Sequence, residues 1–170
     1  MENIMDKIKG EQNLMERIIS YVPGYHGYKE KELRREADKI IRNYLVKELN
    51  EARMILNDFL KEIAESNETT AFSTANRTAA VLDRLINKIE HASYGYSGFF
   101  DAVKVKEDKL EKLIEYDLNV LENVKSIKEA AKNLSKQNDS KVALEDFRKK
   151  LLELENVFDQ RNNIIFEVSK

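Results

Sequence analysis

Two histidines, His26 and His91, and no cysteine leave this chain a short inventory for chemistry. The missing thiol removes disulfides, thiol catalysis, zinc–thiolate sites and thiol redox sensing together. No Glu-x-x-His pair of a carboxylate-bridged di-iron bundle is present, and no phosphate-cradling glycine loop. No cofactor and no metal are therefore expected. Paired carboxylates are plentiful, but among 31 acidic residues their number says nothing. What remains is one Arg/His run, two segments rich in Gly and Tyr, and a few charged residues inside apolar patterns.

The run is Arg84-Leu85-Ile86-Asn87-Lys88-Ile89-Glu90-His91. It resembles the Arg-x(4–6)-His motif of HEPN-type ribonucleases, which are small helical bundles. That resemblance implies a homodimer in which Arg84 and His91 polarise a phosphodiester and support attack by the ribose hydroxyl. It covers eight residues, and Leu85 stands where those enzymes usually carry a polar residue. The structural alternative is a helix-end His91, where a cation favours the C-terminal end of the dipole.

Tyr21-Val22-Pro23-Gly24-Tyr25-His26-Gly27-Tyr28 and Tyr94-Gly95-Tyr96-Ser97-Gly98-Phe99-Phe100 hold four of the five glycines and five of the seven tyrosines. Glycine permits positive φ and close backbone approach, while tyrosine joins a large apolar body to a polar tip. Such segments build either an aromatic recognition patch or a plug that closes the end of a core. The expected contact surface is Tyr25, Tyr28, Tyr94, Tyr96 and Phe99, flanked by Arg35. Lys31, Arg35, Lys39 and Arg42 align at helical offsets, but Glu30, Glu32, Glu36 and Asp38 interleave with them, which suits a solvated mixed-charge face. Residues 24–38 and 94–105 also look similar to stretches in uncharacterised helical proteins of bacteria and archaea, a resemblance that implies no activity.

These residues need helices to position them. Leu49, Ala52, Leu56, Phe59 and Ile63 step by three and four, as do Phe72, Ala75, Ala79, Leu82, Ile86 and Ile89, so residues 30–66 and 69–92 each read as a helix with one apolar stripe. Facing residues of an antiparallel hairpin have numbers with a constant sum. Ile63 with Phe72, Leu56 with Ala79 and Leu49 with Ile86 all give 135, which centres the fold-back in Ser66-Asn67-Glu68-Thr69-Thr70. That cluster has cap-forming side chains but neither Gly nor Pro, so one continuous helix is the alternative.

The second half mirrors the first. Leu134–Leu144, Ile127–Leu151, Val124–Leu154 and Leu113–Ile165 each give 278, centred on Asp139 in the polar stretch 135–140. Asp117 and Arg161, the charged intruders in these stripes, also give 278 and are expected to face each other as a structural polar pair. A further helix over about residues 2–20 carries Ile4, Met5, Ile8, Met15, Ile18 and Val22 on one face, ending at Pro23-Gly24.

The expectation is one all-α domain over residues 1–170, an up-down bundle of two long antiparallel hairpins plus an N-terminal helix. The 35% charged and 42% hydrophobic content, with one Pro and five Gly, fits long helices. A charge of −2 from interspersed acids and bases offers no field for nucleic acid. No apolar run spans a bilayer and no signal-peptide pattern opens the chain, so the cytoplasm is expected. The functional expectation is a non-catalytic interaction or scaffold module with a protein partner or self-association. The alternatives are the ribonuclease and a membrane-surface or coiled-coil assembly protein using residues 1–20.

Overall fold

The computed structural model describes residues 4–168. Six α-helices follow in order: α1 Ile4–Tyr21, α2 Arg34–Glu65, α3 Thr69–His91, the short α4 Ser97–Asp101, α5 Glu107–Lys132 and α6 Ser140–Val168. No strand occurs among the described residues.

Residues 66–68 form a turn rather than a continuous helix. Asn67 adopts φ +58, the left-handed conformation in which Asn is tolerated better than most residues without glycine's freedom. The second hairpin turns through residues 133–139. There the Asp139 carboxylate accepts from the Val142 amide at 3.1 Å and caps α6.

Leu45, Leu49, Ala52, Leu56 and Ile63 of α2 and Leu82, Leu85, Ile86 and Ile89 of α3 are buried, as are Leu113, Leu121, Val124 and Ile127 of α5 and Leu144, Phe147, Leu151, Leu154 and Phe158 of α6. Full burial of each large side chain is worth about 1.5–3 kcal/mol. Phe72, expected opposite Ile63, departs from the pattern and is 47% exposed. It lies in the first turn of α3, where the bundle ends, and Ala71 and Ala75 take the inward positions.

The hairpins pack side by side, with α2 against α3 and α5, and α6 against α3 and α5. Lys128 reaches Glu48 at 2.9 Å and Ser135 reaches Glu62 at 3.0 Å, so α2 and α5 run the same way. Arg84–Glu155 at 2.7 Å and Lys88–Asp159 at 2.6 Å show the same for α3 and α6. Consequently α3 stands diagonally across from α5, and residues 92–106 must cross the end of the bundle to join them. That crossing carries the second Gly/Tyr segment over the open end of the core.

The first helix, α1, lies outside the ring against α5. Its Lys7 pairs with Glu111 at 2.8 Å and its Arg17 pairs with Glu122, so α1 runs parallel to α5. Ile18 and Val22 are buried, whereas Ile4, Met5 and Ile8 near its start are exposed. Residues 1–3, part of the stretch used by the membrane-surface alternative, lie outside the described residues. No helix among the described residues is long and apolar enough to cross a membrane.

Candidate functional site

The segment between α1 and α2 folds back over the bundle end. Gly24 and Gly27 adopt φ +90 and +71, conformations open to glycine but strained for other residues, and these turns bring Tyr25 and Tyr28 inward. The Tyr25 and Tyr28 rings meet edge to face at 6.1 Å, and Tyr28 meets Phe99 of α4 at 5.6 Å. Both Gly/Tyr segments thus converge at one pole.

Arg34 locks them together. Its Nε donates to the Tyr28 carbonyl at 3.0 Å, and Nη1 donates to the carbonyls of Phe99 at 3.1 Å and Ala102 at 2.7 Å. One guanidinium therefore satisfies backbone acceptors from both segments, a fixed fork that a lysine could not reproduce.

Beneath this clamp lies a buried polar network. Asp117 Oδ2 accepts from the hydroxyls of Tyr25 at 2.7 Å and Tyr28 at 2.5 Å. Its Oδ1 accepts from Arg161 Nε at 2.6 Å. Arg161 Nη2 also donates to the Tyr28 hydroxyl and to Asp38 Oδ1, each at 3.0 Å. Asp38 Oδ2 accepts from Arg42 Nε at 2.8 Å, and Arg42 Nη1 donates to the Glu90 carbonyl at 3.1 Å, one of the last in α3. Tyr96 donates its hydroxyl to Asn162.

Two carboxylates and two guanidiniums balance inside the protein. Burial, reinforced by the Asp117 charge, pushes the Tyr25 and Tyr28 hydroxyls well above the ordinary tyrosine value, and burial lifts Tyr96 to about 12. For Asp117 burial is the largest influence and pushes the carboxyl upward, opposed by Arg161 and the two tyrosine hydroxyls. For Arg161 burial pulls downward, but Asp117, Tyr28 and Asp38 outweigh it and hold the group well above its usual value. The two directions oppose each other, because a protonated Asp117 would not sustain the rise at Arg161. The ion-paired form is the one the geometry supports, since arginine stays protonated and three donors face the carboxylate.

Each carboxylate oxygen of Asp38 and Asp117 has at least one donor, and both side chains are fully buried. The network links α2, α5 and α6 through Asp38, Asp117 and Arg161. Neither a protein family, nor a curated protein, nor a solved structure matches this chain.

Of the residues expected at a contact surface, Tyr25, Tyr28, Tyr96 and Phe99 are interior. The three tyrosine hydroxyls find partners on α5 and α6, which a reading of each segment by itself does not reveal. Tyr94 is 85% exposed, its ring 6.0 Å from His91. Arg35 is exposed, 3.5 Å from Asp101, with its guanidinium 4.5 Å above the Phe100 ring. Arg42, read as part of a solvated face, is covered by the end of α3.

Arg84 is bound to Glu155 at 2.7 Å, and His91 Nδ1 lies 2.9 Å from the Asn87 carbonyl. Leu85 between them is core. Glu11, Glu107 and Glu111 bring one oxygen each within 4.8 Å of one another, but Lys7 and Lys29 pair with them. These are the described residues that come nearest to a metal-ligand set.

Sequence reasoning passed over Asp38 and Arg42 as members of the network and Arg34 as the clamp on both segments. The signal for two of them was present: the α2 stripe Leu56, Ala52, Leu49, Leu45, continued by steps of three and four, lands on Arg42 and Asp38.

Proposed function

We propose that this chain is a non-catalytic helical interaction module whose contact surface is the pole capped by the crossing segment. Tyr94 carries the reading: it is largely exposed, yet its neighbours Tyr96, Phe99 and Phe100 are buried. An aromatic on an immobile platform gives up little entropy when a partner covers it, and tyrosine is enriched among residues that dominate binding energy.

Exposed apolar side chains gather at the same end. Phe166 lies over Gly95, where an added Cβ would sit 3.2 Å from its ring, and Val103 lies four residues before the start of α5. Ile4, Met5 and Ile8 flank this pole at the start of α1. Such a collection at one end supports a protein partner or a second copy of the chain, in the cytoplasm that the cysteine-free composition suits. The balanced surface charge gives no support to nucleic acid as the partner.

The test pairs Tyr94→Ala with Phe166→Ser. The double variant is expected to keep wild-type helicity and to lose partner capture, with Met54→Ala as the exposed control. The solution mass before and after identifies whether the partner is a second copy. Retained capture by the double variant moves the interface away from the pole.

A further inference from the structure

A cavity of about 160 Å³ opens between α1, the Gly24–Tyr28 turn and α5, and Tyr94 is not among its lining residues. Its floor is apolar, formed by Leu14, Met15 and Ile114. Gly27 lines it as well. A Cβ on Gly27 would point into it, 3.6 Å from Ile114 Cδ1 and 3.7 Å from Met15 Cε. The positive φ of Gly27 disfavours any larger residue there, so the backbone turn that brings Tyr28 inward also keeps this space open. Its size is close to the roughly 150 Å³ apolar cavity that accepts benzene in an engineered protein.

The rim is acidic. Glu11 and Glu111 stand at the mouth, with Glu107 beside them. Lys7 lies 2.8 Å from Glu111, and Lys29 lies 3.3 Å from Glu11 and 3.8 Å from Glu107. Three carboxylates against two ammonium groups leave one negative charge uncompensated at the opening. Lys29 is more than half exposed and only loosely held, so a ligand cation can take its place beside Glu11.

We propose that this cavity binds a small organic monoamine, with an aromatic or branched aliphatic body of about benzene size seated on Leu14, Met15 and Ile114 and its ammonium group held by Glu11 and Glu111. The occupant follows from the two halves of the site. A neutral hydrocarbon leaves the carboxylates unused, and a carboxylic acid meets like charge. The site also couples α1 to the rest of the protein, because one wall belongs to α1 and the opposite wall to α5.

The test titrates the full-length protein with benzylamine, benzyl alcohol and benzoate. The readout is the methyl resonances of Met15 and Ile114 together with binding calorimetry. Benzylamine is expected to shift both methyls saturably and to bind tightest of the three. Glu11→Gln with Glu111→Gln is expected to weaken benzylamine about fivefold, in the range of partly exposed charge pairs, and to leave benzyl alcohol unchanged. Leu14→Trp, which fills the floor from the half-exposed α1 side, is expected to abolish all binding while circular dichroism stays at wild type. Equal affinities for the three probes, or methyl shifts that fail to saturate in a folded protein, would overturn the proposal.

Discussion

Arg161 on α6 meets Asp117 on α5 at 2.6 Å between Nε and Oδ1, and neither side chain is exposed to solvent. Desolvation of both charges offsets most of their attraction, but removing one partner strands the other. Asp117→Ala and Arg161→Met are each expected to lower the unfolding free energy by about 3–5 kcal/mol. Because both act on one network, the double variant is expected to lose less than the sum, with a coupling of about 0.5–3 kcal/mol in urea denaturation. Strict additivity would mean that the two residues act independently.

Arg34→Met keeps the aliphatic stem but strips three backbone carbonyls of their donor. The expected cost is about 1–3 kcal/mol. Hydrogen exchange is expected to speed up at the amides of residues 97–102 and to stay slow in the middle of α5 and α6. Uniform acceleration over the whole chain would show that the clamp stabilises the fold globally and does not act locally at the pole.

Stability is expected to fall in alkali. Tyr25, Tyr28 and Tyr96 release their protons at higher pH in the folded chain than in the unfolded one, the last at about 12. The unfolded state therefore binds fewer protons as pH rises past about 10, and its relative free energy drops. The stabilisation is complete below pH 10 and is lost progressively above it. For Tyr96 alone the loss over two pH units is on the order of 2 kcal/mol. Denaturant midpoints for wild type and Tyr96→Phe, measured from pH 9 to 12, are expected to show the flatter profile in the variant.

The bundle and its hairpins were legible because an apolar stripe stepping by three and four has one physical reading, and because the mirrored positions meet at polar turns. The facing of residues 117 and 161 came from the same arithmetic. How the hairpins dock was not legible: pairings within a hairpin carry no information about its neighbours, so the diagonal crossing over the pole was hidden. Asp38 and Arg42 were obscured because alternating acids and bases at helical spacing look the same on a wet face and in a buried network. The tyrosines were ambiguous in the same way, since the hydroxyls of Tyr25 and Tyr28 find their acceptor, Asp117, about 90 positions away.

RNA incubated with the wild-type protein in the absence of metal is expected to stay intact. Arg84 is held by Glu155 at 2.7 Å, and His91 Nδ1 lies 2.9 Å from the Asn87 carbonyl. Cleavage that disappears in Arg84→Ala would move the assignment to a ribonuclease.

Site-specific crosslinking from position 94 tests the proposed contact pole most directly. A photoreactive residue replacing Tyr94 in the full-length protein, activated in its host cell, is compared with the same residue replacing Met54, an exposed position on the flank of α2. The expected result is a discrete adduct from position 94 that is absent from position 54. No adduct from position 94, or the same adduct from both positions in folded protein, would contradict the assignment of the pole as the contact surface.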